Sequence, residues 1–105
     1  MSNITGTWLL QMKTPVGTIH ADYRFDEEGG VIRGRASGVG ETTELTDIFV
    51  EDVTDGQRVT WRQRITRPLR LNLEFDVTVR GDALAGESRA GRLPRTRVTG
   101  ERTSA

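Results

Sequence analysis

Between Leu69 and Val79 every odd position carries an apolar side chain and every even position a polar one: Leu69, Leu71, Leu73, Phe75, Val77 and Val79 alternate with Arg70, Asn72, Glu74, Asp76 and Thr78. A period of two places alternate side chains on opposite faces of an extended strand, so this stretch has one dry face and one wet face. Ile19, Ala21, Tyr23 and Phe25 alternate in the same way with Thr18, His20, Asp22 and Arg24, as do Trp8, Leu10 and Met12, and Val59, Trp61 and Ile65. No stretch sustains the apolar stripe of an amphipathic helix. The chain reads as all-β.

Breaks fall at Thr14-Pro15-Val16-Gly17, Asp26-Glu27-Glu28-Gly29-Gly30, Gly38-Val39-Gly40, Asp55-Gly56, Arg67-Pro68, Gly81-Asp82 and Gly91-Arg92-Leu93-Pro94, which divides the chain into eight segments. Their spacing suits short antiparallel strands joined by tight turns, and it leaves no room for crossover helices. Eight one-sided strands must bury a common face, and 105 residues are too few for two well-filled sheets with long connections. Closure also removes exposed sheet edges. The expectation is a single domain over residues 1–105, an eight-stranded antiparallel up-and-down (meander) β-barrel, with a two-sheet sandwich as the alternative.

The absence of Cys excludes a disulfide scaffold, a thiolate metal site and a Cys nucleophile, and the lone His20 excludes a multi-histidine centre. No metal and no cofactor are expected. Fifteen basic and fifteen acidic side chains cancel, so no global field draws the chain to nucleic acid or to a membrane surface. No apolar run approaches the roughly 20 residues of a membrane-spanning helix. The first residues show no basic head followed by an apolar run, so a soluble, cytoplasmic protein is expected.

Gly6-Thr7-Trp8 opens the first strand and Gly100-Glu101-Arg102 closes the last. This pairing resembles the calycin superfamily, the lipocalin-like and avidin-like barrels. In that superfamily a G-x-W places an indole across one barrel end and a basic residue of the final strand packs over it. The resemblance implies these roles for Gly6, Trp8 and Arg102, with cation–π attraction closing that end. Gly29-Gly30-Val31-Ile32-Arg33-Gly34 and Gly81-Asp82-Ala83-Leu84-Ala85-Gly86 extend the likeness along most of the chain. The chain is shorter than typical lipocalins and lacks an obvious C-terminal helix, so a compact barrel with a small cavity is implied.

With Trp8, Tyr23, Trp61 and Phe75 inward, parity turns Ile32, Gly34, Ala36 and Gly38 inward on the third strand and Leu84, Gly86 and Ser88 on the seventh. Eight strands enclose a space that side chains fill or that holds one small ligand. Ala21, Gly34, Ala36, Gly86, Ser88 and Gly100 argue for a void, unless the glycines serve bending and close packing. The expected binding residues are Trp8, Tyr23, Phe25, Trp61, Gln63, Leu73, Phe75 and Ser88. Tyr23, Gln63 and Asp47 are the candidate catalytic groups. Gln63, between Trp61 and Ile65, is costly to bury unless it joins a polar network.

The side on which Asp47 lies depends on one hairpin. A two-residue Asp55-Gly56 turn pairs Asp47 with Arg64 and leaves the carboxylate outside. A three-residue Thr54-Asp55-Gly56 loop shifts the register and turns Asp47 inward beside Gln63, as a candidate general acid or base. His20 shares the wet face with Thr18, Asp22 and Arg24; a barrel mouth folded over it would instead pair it with Asp22. From Glu41 to Asp55 there are six acids and no bases, and from Arg58 to Arg70 five arginines and no acids, which reads as a cross-strand ladder of opposite charges. Arg89, Arg92, Arg95 and Arg97 lack the interleaved aromatics of a nucleic-acid surface, since no aromatic lies beyond Phe75.

The leading function is a small-molecule binder with an apolar or partly polar metabolite in its lumen. The calycin likeness adds an alternative, a cofactor-independent cyclase or isomerase acting on a small biosynthetic intermediate, where shape and a few donors from Tyr23, Gln63 and Trp61 suffice. A third reading is an interaction module with a filled barrel and a homodimer interface on the outer strands, which requires exposed apolar residues such as Ile48 or Val50 to form a patch.

Overall fold

The eight alternating segments become eight strands: β1 (Gly6–Thr14), β2 (Gly17–Glu28), β3 (Val31–Gly38), β4 (Glu41–Val53), β5 (Gly56–Ile65), β6 (Leu71–Arg80), β7 (Ala83–Ala90) and β8 (Thr96–Ser104). The structure is a computed structural model that describes residues 3–14, 17–38, 40–67 and 69–105. The turn positions Pro15, Val16, Val39 and Pro68, like Met1 and Ser2, lie outside the described residues. Each strand pairs antiparallel with its neighbour in sequence, and β8 returns to β1 to close an up-and-down barrel. The sandwich is not adopted.

The alternation is carried into three dimensions. On β6, Phe75, Val77 and Val79 are buried, while Glu74, Asp76 and Arg80 face outward. Across the β4–β5 hairpin Arg58 meets Glu51 at 3.2 Å, as the expected charge ladder has it, and Arg58 also meets Asp76 on the outward face of β6 at 2.7 Å. An apolar interior under a charged exterior is the reverse of a barrel whose outer face contacts lipid. No helix among the described residues is long and apolar enough to cross a membrane. One boundary differs from expectation. The alternating run starts at Leu69, but β6 starts at Leu71, and Leu69 lies exposed in the preceding connection.

One end of the barrel is sealed by the expected latch. The Trp8 indole Nε1–H donates to the Ile4 carbonyl at 2.7 Å, and the Arg102 guanidinium lies 4.5 Å from the centre of the indole. Arg102 also donates to the carbonyls of Asn3, Thr5 and Gly81 and to the Asp82 carboxylate. Gly6 makes this possible. Its φ is +121°, and a Cβ there would stand 2.6 Å from the Ser104 carbonyl oxygen.

The β4–β5 hairpin follows neither of the two registers weighed from the sequence. Val53 pairs with Gly56, so the turn is Thr54-Asp55, with Asp55 in the left-handed region at φ 67°. Gly56 is withheld from the turn because β6 presses on it: a Cβ there would lie 2.2 Å from the Val79 carbonyl oxygen. A bulge then interrupts the ladder between Thr46 and Phe49, and Asp47 and Ile48 together stand opposite Trp61. Leu45 points inward on one side of it, and Ile48 and Val50 pack against the core on the other. Ile48 and Val50, which an interaction module would expose, are thus partly buried, and the exposed apolar residues of β4 are Phe49 and Val53.

Candidate functional site: the open half of the lumen

Towards the latched end, the interior is solid. Trp61 stacks on Phe75 with centroids 4.8 Å apart and planes 9° from parallel, Phe25 meets Trp61 edge-on at 5.3 Å, and Leu10, Val59, Val79 and Val98 complete the fill. The glycines of this half are occupied by their neighbours. A Cβ on Gly34 would stand 2.8 Å from Leu45 Cδ1, on Gly100 2.9 Å from Leu10 Cδ1, and on Gly86 2.0 Å from the Asp76 carbonyl oxygen. Of the small residues read as evidence for a void, these three serve close packing.

Towards the other end, the inward positions change size. β2 continues from Phe25 and Tyr23 to Ala21 and Ile19, and β3 from Gly34 to Ala36 and Gly38. With Met12, Leu71, Leu73 and Ala90 on the remaining walls, they enclose a cavity of 380 Å³ open at the mouth. That is near the lower end of the roughly 300–1,000 Å³ typical of ligand pockets. Its wall is mainly apolar.

Tyr23 forms the floor. Its ring packs on Phe25, Trp61 and Phe75, and its hydroxyl donates to Gln63 Oε1 at 2.8 Å. Burial pushes the phenol far above its usual value, against a smaller opposite effect of the Gln63 hydrogen bond. Tyr23 therefore stays protonated and acts as a donor, not as a base. Ser88 is buried on the same wall. The acid on the wall is Glu41 at the rim, whose carboxylate accepts from Thr66 N–H at 2.8 Å, Thr66 Oγ1–H at 2.7 Å and Arg67 N–H at 3.0 Å. These donors hold its carboxyl below the ordinary 4.5, Thr66 contributing most. They also strap the β5–β6 connection beside the mouth, where Leu69, Leu93 and Pro94 form an apolar lip.

Of the residues expected to bind, Tyr23, Gln63, Leu73 and Ser88 line this cavity. Trp8, Phe25, Trp61 and Phe75 do not; they lie buried in the packed half and support the floor from below. Asp47 is excluded from the lumen. At the bulge its φ of 51° turns the side chain outward, where it is exposed and 3.9 Å from Arg62. The inward orientation that a general acid or base in the cavity requires is not adopted. His20 is exposed on the outer face. The lining residues that sequence reading did not single out include Met12, Ile19, Thr43, Ile65 and Thr96. Parity marks several of them as inward, but parity carries no information on depth along the axis.

A second hollow, of 440 Å³, lies on the outside of β4 to β7. Its charged groups are largely engaged with one another, as in Arg58–Asp76 and Arg95–Glu87 at 2.9 Å. No group of His, Cys, Asp or Glu among the described residues is arranged to hold a metal ion. No protein-family model, curated protein or solved structure matches the chain.

Proposed function

We propose that the chain is a small-molecule-binding barrel that holds one mainly apolar metabolite in the open half of its lumen. The observation that carries this reading is the 380 Å³ cavity, apolar in its walls and with the Tyr23–Gln63 hydrogen bond at its base. A concave apolar wall around a few convergent polar groups is the usual make-up of a ligand site. The Arg102–Trp8 stack supports the same reading through the likeness to calycin barrels.

The test uses 2-isopropenylnaphthalene as a rigid apolar probe, followed by calorimetry and thermal denaturation. The protein is expected to bind the probe and to melt at higher temperature in its presence. Ala36→Leu, which extends a side chain into the cavity from β3, is expected to keep its fold and lose most of the affinity. Failure of this probe and of its oxygen-bearing analogues to bind, or undiminished binding by a folded Ala36→Leu protein, overturns the reading.

A further inference from the structure

Two buried polar groups on the cavity wall have no partner among the described residues. Gln63 accepts the Tyr23 hydroxyl through Oε1, but its Nε2 makes no hydrogen bond, and neither does the Ser88 hydroxyl. Both residues are more than nine-tenths buried, at 6% and 5% exposure. Yet among the described residues the one side-chain polar atom fully sealed without a partner is Trp61 Nε1. Gln63 Nε2 and Ser88 Oγ are thus unpaired but not occluded; the free space beside Gln63 is the cavity, and Ser88 lines both the cavity and the outer hollow.

We propose that the guest is a neutral carbonyl compound, bound with its oxygen leading, so that Gln63 Nε2 and Ser88 Oγ donate to that oxygen while an apolar body fills the wall above. This rests on the binding role proposed above. The polarity follows from the inventory of donors. An amide NH₂ only donates, the Tyr23 proton is already committed to Gln63, and the Ser88 hydroxyl is free to turn towards an acceptor. The neutrality follows from charge. The arginines on the cavity wall, Arg67 and Arg95, are at the rim, and Arg95 is paired with Glu87. A carboxylate at the floor would lose its hydration with no counter-charge beside it, which is far more costly than burying a carbonyl with two donors.

Three probes of one shape separate the possibilities: 2-acetylnaphthalene, 2-isopropenylnaphthalene, in which a methylene replaces the carbonyl oxygen, and 2-naphthoate. In calorimetric titrations the ketone is expected to bind about tenfold more tightly than the hydrocarbon, and the carboxylate more weakly than the ketone. Gln63→Leu is expected to bring the ketone-to-hydrocarbon ratio to within about twofold, and Ser88→Ala to lower it by a few fold. Equal binding of ketone and hydrocarbon by the unaltered protein, or a ratio untouched in both variants, overturns the carbonyl assignment and leaves the binding role standing. Tightest binding of the naphthoate overturns it in favour of an anionic guest. Binding of none of the three removes the binding role and this inference together. Should Gln63→Leu not fold, the probe ranking and Ser88→Ala decide alone.

Discussion

The two halves of the lumen are walled by the same eight strands and obey the same alternation, yet one is solid and the other hollow. In the solid half, Trp8, Phe25, Trp61 and Phe75 are buried, and the place of a side chain at Gly34 is taken by Leu45 and Phe25, at Gly86 by the Asp76–Val77 backbone and at Gly100 by Leu10 and Leu84. In the hollow half, alanines and aliphatic residues face one another and leave the space open. Alternation thus decides which side chains enter the barrel, whereas their order along each strand decides how far they meet. A plug of aromatics lets the barrel carry an unfilled end, because the packing that stabilises it is concentrated elsewhere.

The largest expected effect comes from breaking the plug. Trp8→Ala should cost about 3–5 kcal/mol in urea denaturation, since it leaves a void and strips Arg102 of its stacking partner. Met12→Ala, on the same strand but at the cavity, should cost no more than about 2 kcal/mol, because space already surrounds it. Gly86→Ala comes next, at about 1–3 kcal/mol, as its Cβ has no room beside the Asp76 carbonyl. If Trp8→Ala and Met12→Ala prove equal, the division into plug and pocket does not describe the energetics.

The smallest effect is confined to the mouth. The Glu41 carboxyl is lowered in the folded chain because Thr66 and Arg67 donate to its ionised form. Its hold on the connection is therefore complete above about pH 4.5 and is lost as pH falls through the lowered value. Amide exchange at Thr66 and Arg67 should speed up with acid relative to neighbouring amides. In Glu41→Gln it should be faster at neutral pH, with little change in the melting temperature. Exchange that is unaltered in this variant would show that the strap is held by other contacts.

Much of this was legible in the sequence. The strands follow from period-two alternation between turn-forming breaks, and the latch was implied by the resemblance to calycin barrels that Gly6, Trp8 and Arg102 carry. The hairpin did not yield to the same reasoning because Gly56 serves the packing against β6, a strand outside the hairpin: the Val79 carbonyl occupies the place of its side chain. Local turn chemistry has no access to that contact. The bulge at Asp47 and Ile48 belongs to the same class, since it reconciles Leu45 with Ile48 and Val50 as inward residues and thereby sends Asp47 outside. Depth was the other missing quantity. Trp61 and Gln63 share a face two residues apart, yet one lies in the plug and the other lines the pocket.

The latch also orders events in time. Arg102 grips the Thr5 carbonyl across 97 positions of sequence and that of Asn3 across 99. Contacts so distant in the chain carry a large loop-closure cost and form slowly. Because one flank of β1 is completed only by β8, closure of the barrel has to await the strand farthest from β1 in sequence.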